Sequence, residues 1–352
     1  MLIIIIVSLI SVFLTYLSKY RETRYCFEIA ILSLIIFWGF RYNFGNDYAV
    51  YLANFDSIKN YSEGIIELES GWVLLNRIFS YGEFPSLVFF ITIIQFYSIY
   101  FYLKHYVEVK YRWFVLLFYI INASLMIHSL SGLRQTVAMS IFIFSLHYIY
   151  NRKYLPSLLL LLIAAQFHSS AYLMLVLPFT IFLSRIKKKS YVYMLIAIFI
   201  ICFFFRGFVL RLSSALLQFD EISKYDLYLT QSDSQYGGKG FGIMLQMLVL
   251  CILLVYDKHE DTMQNWLLKL YQMSFVFIPL YTILPTFARL QMYFMLLGIG
   301  GVPMLIKTAK ASMLNAVIIV LFLMMILLGF SSALSYDSYS SYNTIFSSNL
   351  YL

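Results

Sequence analysis

Uncharged apolar runs and short basic runs alternate along this chain from its first residues. Leu2–Leu17 carries no charge and is followed by Lys19, Arg21 and Arg24. Apolar runs recur at about 2–17, 26–40, 86–103, 113–128, 135–150, 155–167, 170–184, 191–205, 240–256, 267–284, 290–306 and 312–330. Most approach the roughly 20 residues a helix needs to cross a hydrocarbon core of about 30 Å. The expected fold is an all-α polytopic integral membrane protein of about twelve transmembrane helices. The first run lacks a basic start and a small-residue cleavage site, so it is read as a retained span and not as a signal peptide.

Charge assigns the sides. About two-thirds of the 25 basic residues fall in one alternating set of loops, including Lys104, Lys110 and Arg112, Arg152 and Lys153, Arg185 and Lys187–Lys189, and Lys258 with Lys269. That set is expected in the cytoplasm, with both termini outside. The net charge of +8 then follows from topology and gives no reason to invoke nucleic acid. Composition agrees: 62% hydrophobic, 12% charged, mean hydropathy +0.81. Cys26, Cys202 and Cys251 have no CxxC partner and read as small apolar fillers.

Residues 1–330 are expected to form a single transmembrane domain with two long outer loops, at about 41–85 and 206–239. In the first, Ile65, Leu68, Trp72, Leu75 and Phe79 recur at spacings of three and four, one apolar helical stripe. The second begins with an amphipathic run over 208–219. Both predict interfacial or re-entrant helices. The Ser/Tyr/Asn-rich residues 331–352 read as a flexible extracytoplasmic tail. The stretch 155–184 must cross twice in some 30 residues. Two α-helical arms of about 15 residues reach only some 22 Å each, so their junction at Gln166–Ser170 is expected to lie recessed, in an outward-facing cavity.

Arg41, Asp47, Glu69, Arg134, His168 and Arg289 all fall on the expected outer side. Ser131 is placed to cap the helix carrying Arg134 and Gln135, where free amides, the helix dipole and a guanidinium favour an anion. Arg289, after Pro285, repeats the arrangement, and two such arginines suit a diphosphate. The bland alternative is that each arginine snorkels to the interface. His168 is a candidate base or donor, or only satisfies its own turn; His128 competes with it. Asp47 or Glu69 activates a hydroxyl or holds Arg41 by ion pairing. Tyr48, Tyr51 and Trp72 are candidates for stacking on sugars, although aromatic belts account for most aromatic residues here. Gly237–Gly242 lacks the spacing of a phosphate loop. No ligand cluster is visible, so neither metal nor cofactor is expected.

Four stretches carry a family resemblance: RYNFGNDYAVY at 41–51, ESGW at 69–72, SGLRQTVAMSIFIFSLHYI at 131–149 and AAQFHSSA at 164–171. In this order they resemble the EpsG-like branch of the Wzy polysaccharide polymerases. The resemblance implies a membrane glycosyltransferase of the bacterial plasma membrane with its site facing the periplasm or exterior. Its substrates would be oligosaccharide repeat units on undecaprenyl diphosphate, and its partners chain-length regulator and flippase proteins. By position, Arg134 and Arg289, with Arg41 and Gln135, would hold the diphosphate, and His168, Asp47 or Glu69 would serve the acceptor. The competing classes are a secondary transporter of an anionic or lipid-linked solute, an extracytoplasmic membrane acyltransferase, and a structural subunit without chemistry.

Overall fold

A computed structural model describes residues 2–60, 68–204, 247–248, 250–254, 262–276, 278, 285–303, 313–335 and 337–348. The chain is mostly helical and divides into two compact units: residues 1–178 with 326–352, and residues 179–325. The second expected outer loop, 206–239, and most of the run at 240–256 lie outside the described residues.

In the first unit, α1 (Leu2–Leu17) packs on α2 (Cys26–Gly39), α2 on α5 (Phe84–Tyr106), α5 on α8 (Leu133–Tyr150), and α8 on α9 (Tyr154–Ala165). Helix α1 is inside out. It buries Ser8, Ser11 and Thr15 and exposes Leu2, Leu9, Ile10 and Phe13. The hydroxyls of Ser11 and Thr15 bond back to the helix carbonyls of Val7 and Ser11, both at 2.8 Å, and Ser11 meets Ser33 of α2 at 3.1 Å. Small polar residues at a helix–helix seam and large apolar ones outside suit a lipid surround, not water. Helix α5 starts with Pro85 in its first turn, where a missing N–H costs nothing. Its 23 residues span about 34 Å. Among the described residues it is the one helix both long and apolar enough to cross a membrane by itself; α1 and α9 are apolar but shorter.

Between α2 and α5 lie a two-residue strand β1 (Arg41–Tyr42), α3 (Tyr48–Lys59) and α4 (Ser70–Phe79). Of the expected stripe, Ile65 lies outside the described residues; Trp72 and Leu75 are buried with Tyr48, Tyr51 and Phe55 of α3, while Leu68 and Phe79 flank them. The opposite face of α4 exposes Leu74 and Ile78.

Two expected spans take other forms. The run at 113–128 is not one helix. Helix α6 (Val109–Ile121) stops at Asn122, whose side-chain oxygen accepts the Ser124 amide at 3.1 Å. The chain turns there and restarts as the short α7 (Ile127–Ser131). Buried Gln95 of α5 fixes this joint, donating to Tyr119 and Ser129, both at 2.8 Å. The run at 170–184 is a 3-10 helix, Ser169–Arg185. At about 2.0 Å per residue it is roughly 34 Å long, so the short-arm argument for a recessed junction applies to α9 alone.

The second unit holds α10 (Lys188–Phe204), α11 (Thr262–Val276) and α12 (Pro285–Gly301), with α11 packed on both others. Lys269 is not a loop cation. It is fully buried in α11 and donates to the carbonyls of Leu183 (2.9 Å) and Ile186 (2.6 Å), capping the end of the 3-10 helix with positive charge. Helix α13 (Met313–Leu334) leads the chain from this unit back to the first.

Candidate functional site

The start of α8 organises the site. Ser131 does not cap this helix: the N-cap is Gly132, which makes no side-chain cap bond. The Ser131 hydroxyl instead accepts the Asp47 amide at 3.4 Å. Gly45 makes that approach feasible. Its φ is +94°, and a Cβ there would lie 2.6 Å from the Ser131 oxygen. Thr136 closes the α7–α8 joint by donating to the carbonyls of Ser129 and Gly132.

At the second position of α8, Arg134 pairs with Glu69 at 2.6 Å. The two side chains are 25% and 21% exposed, half-shielded and reachable. Glu69 occupies the residue before α4, and its other oxygen accepts the Ser169 amide at 3.4 Å. Beside it the Gly71 amide donates to the Gln166 carbonyl at 2.9 Å, and the Ser70 hydroxyl to the Gln166 side chain at 2.8 Å. A Cβ on Gly71 would sit 2.8 Å from that carbonyl oxygen. The start of α4 is thus docked on the end of α9, and three stretches distant in sequence meet at one ion pair.

Tyr51 supports Arg134 from α3. The guanidinium carbon lies 6.0 Å from its ring, and the ring stands edge-on to Trp72 at 5.3 Å. Burial pushes the Tyr51 hydroxyl above its ordinary pKa, against the pull of Arg134. Burial likewise pushes Tyr48 up to about 12. Both tyrosines therefore stay neutral near pH 7. Tyr48, Tyr51 and Trp72 are all buried, so they form a wall and not the sugar-stacking surface that sequence alone had offered.

Other expected site residues are placed differently. Arg41 is 1% exposed, with its guanidinium committed inward to the carbonyls of Trp38 (2.6 Å) and Leu130 (3.0 Å) and to the Thr92 hydroxyl (2.6 Å). It ties β1 to α5 and α7, which corrects its reading as a diphosphate ligand or a partner of Asp47 or Glu69. Gln135 is buried behind Arg134. His168 is 5% exposed, and its Nδ1 accepts the Ser170 amide at 3.2 Å with the Ser170 hydroxyl at 2.7 Å. That geometry satisfies the turn. Asp47 is exposed at the start of α3. Arg289 lies half-buried on α12, in the second unit.

Residues 337–348, expected within a flexible tail, pack into this region. Strand β2 (Asn343–Thr344) pairs antiparallel with β1, Arg41 opposite Thr344. The Gly45 amide donates to the Ser338 carbonyl at 2.9 Å. Tyr342 stacks on Phe37 at 4.1 Å and donates to its carbonyl. Tyr339 is buried, its ring 5.5 Å from Phe44 and 6.1 Å from His128. Composition alone hides this: Tyr342 packs on the end of α2 and Tyr339 on Phe44 in the loop that follows it. Ser70, Gly71 and Gln166 were likewise missed as contributors, though all three lie within the recognised motifs, and Tyr51 was offered for sugar stacking and not as a support for Arg134.

A mostly helical chain with lipid-suited surfaces, gathering an arginine–glutamate pair, exposed carboxylate and histidine groups, and buried tyrosines at helix ends, is a membrane protein with a polar site. The chain belongs to the EpsG family, whose model matches residues 24–345 and so covers every motif of the site. Membership implies a role like that of a polysaccharide polymerase. No curated protein and no solved structure matches the chain.

Proposed function

We propose that the protein is a polysaccharide polymerase that transfers a growing glycan from polyprenyl diphosphate to the next lipid-linked repeat unit at the outer face of the bacterial plasma membrane. The observation carrying this reading is the junction where Arg134 meets Glu69 and the Ser169 amide. An arginine fork at a helix start binds a phosphate oxygen pair and stabilises charge as the diphosphate departs. Glu69 holds the fork in register until the anion arrives and exchanges with it. The twelve-span topology, with both termini outside, belongs to the same proposal, as do the chain-length regulator and flippase partners.

The test is direct. Purified protein in liposomes is given polyprenyl-diphosphate-linked repeat units. The proposal expects a ladder of longer glycans and release of polyprenyl diphosphate. Uptake of substrate into the vesicles without a ladder would make the protein a transporter and overturn the proposal.

A further inference from the structure

Arg134 lies at one end of a longer polar face. Helix α3 runs past the α7–α8 joint and presents two residues four apart, Asp47 and Tyr51; the Tyr51 amide bonds to the Asp47 carbonyl at 3.0 Å, so they belong to one helical turn. Tyr51 faces Arg134. The Asp47 backbone amide meets the Ser131 hydroxyl at the end of α7, at 3.4 Å. His128 precedes Ser131 by three residues on α7, the spacing that puts two side chains on one helix face. Desolvation holds the His128 imidazole below its ordinary pKa, against the opposing pull of the Asp47 carboxylate. The Tyr339 ring closes the far side, edge-on to His128 at 88°. Both Asp47 and His128 are exposed, whereas His168 is buried with its Nδ1 engaged by Ser170.

We propose that His128, oriented by Asp47 and walled by Tyr339, takes the proton from the acceptor sugar hydroxyl. This rests on the polymerase reading above. The acceptor O–H gives its proton to the imidazole. Its oxygen forms a bond to the anomeric carbon of the donor glycan, and the bond from that carbon to the phosphate oxygen breaks. The electron pair leaves with polyprenyl diphosphate, which Arg134 holds. Asp47 acts through His128 and is a positioning residue.

The experiment measures glycan transfer and donor binding for wild type, His128→Gln and Asp47→Asn, all reconstituted with lipid-diphosphate-linked repeat units. His128→Gln is expected to lower the turnover rate by ~10²–10⁴-fold while donor affinity stays within about threefold. Asp47→Asn is expected to lower turnover less, by about tenfold, at unchanged donor affinity. If wild type forms ladders and His128→Gln turns over within threefold of it, the inference falls and the polymerase reading stands. If His128→Gln loses donor binding to the same extent as turnover, His128 is a fold or phosphate residue and the inference falls too. If wild type forms no ladder, the polymerase reading itself fails and takes the inference with it.

Discussion

At the scale of the residue, Arg134 carries the heaviest demand. Under the proposed function, replacing it with alanine removes a charge-assisted fork from a departing diphosphate, an expected loss of about 3–4 kcal/mol in the transition state, or a hundredfold or more in rate. Arg134→Lys is expected to stay impaired, because a point charge does not reproduce the fork. Glycan-length profiles and single-turnover transfer rates check both. The Glu69 partner predicts a different signature. The pair is partly exposed, so Glu69→Gln is expected to cost at most about 1 kcal/mol of stability. The turnover effects of Glu69→Gln and Arg134→Ala are expected to be strongly non-additive, since the two groups share one contact. A double-mutant cycle reads this directly; additive losses would separate their roles. Residue identity was the most legible level in the sequence: Glu69 and Arg134 stand out because a chain with so few charges has little reason to shield two of them together. Their pairing was not legible, because nothing in either motif says which opposite charge it meets.

At the scale of the element, the docking of α4 on α9 depends on Gly71. Gly71→Ala would drive a methyl group to 2.8 Å from the Gln166 carbonyl oxygen, a backbone group that cannot rotate away. The expected outcome is about 1–3 kcal/mol of destabilisation, with weaker transfer because Glu69 moves along with α4. Thermal melting of the purified protein, paired with the ladder assay, checks it; unchanged melting and activity would show that the joint relaxes freely. The C-terminal clamp makes a second element-scale prediction. Ending the chain after Leu334 removes β2, Tyr339 and Tyr342. Membrane-inserted protein is expected at near-normal amounts, with transfer reduced more than tenfold. Tyr342→Phe is expected to behave almost normally, since it keeps the stack on Phe37 and loses one hydrogen bond. Helices α1, α2, α5, α8 and α9 were legible from apolar runs because each is dominated by apolar residues, with any charge confined to its first or last turn. The break at Asn122 was not, because one Asn-Ala-Ser step inside an apolar run is read by the backbone and hardly alters hydropathy. The 3-10 form of 169–185 was equally hidden, since the α and 3-10 forms draw on the same apolar residues.

At the scale of the whole molecule, the uneven distribution of basic residues predicts sidedness. In a background without native cysteines, single cysteines at Asn60 and Ser341 are expected to react with an impermeant thiol reagent added outside intact cells. Cysteines at Glu22 and Ser190 are expected to react only after permeabilisation. All four positions are exposed, so silence at one reports its side of the membrane and not burial. The reverse pattern would invert the topology and place the Arg134 site in the cytoplasm. Lys269 shows why charge counting is a blunt instrument: it was assigned to a loop by its sign, yet its ammonium is spent on two helix-end carbonyls. The family was legible because its motifs are contiguous; the polar face joining Asp47, His128 and Tyr339 was not, because its members come from three distant parts of the chain.

The pairing of Arg41 with Thr344 has a consequence for how the molecule comes into being. Strand partners so far apart cannot meet until almost the entire chain has left the ribosome. At about 5–20 residues per second, the segment around Arg41 waits roughly 15–60 s for the strand that will pin it. Through that interval the nascent protein has its early helices but not the fastening of the loop that bears Asp47. The loop bearing Asp47 is therefore among the last parts of the newborn chain to be fastened.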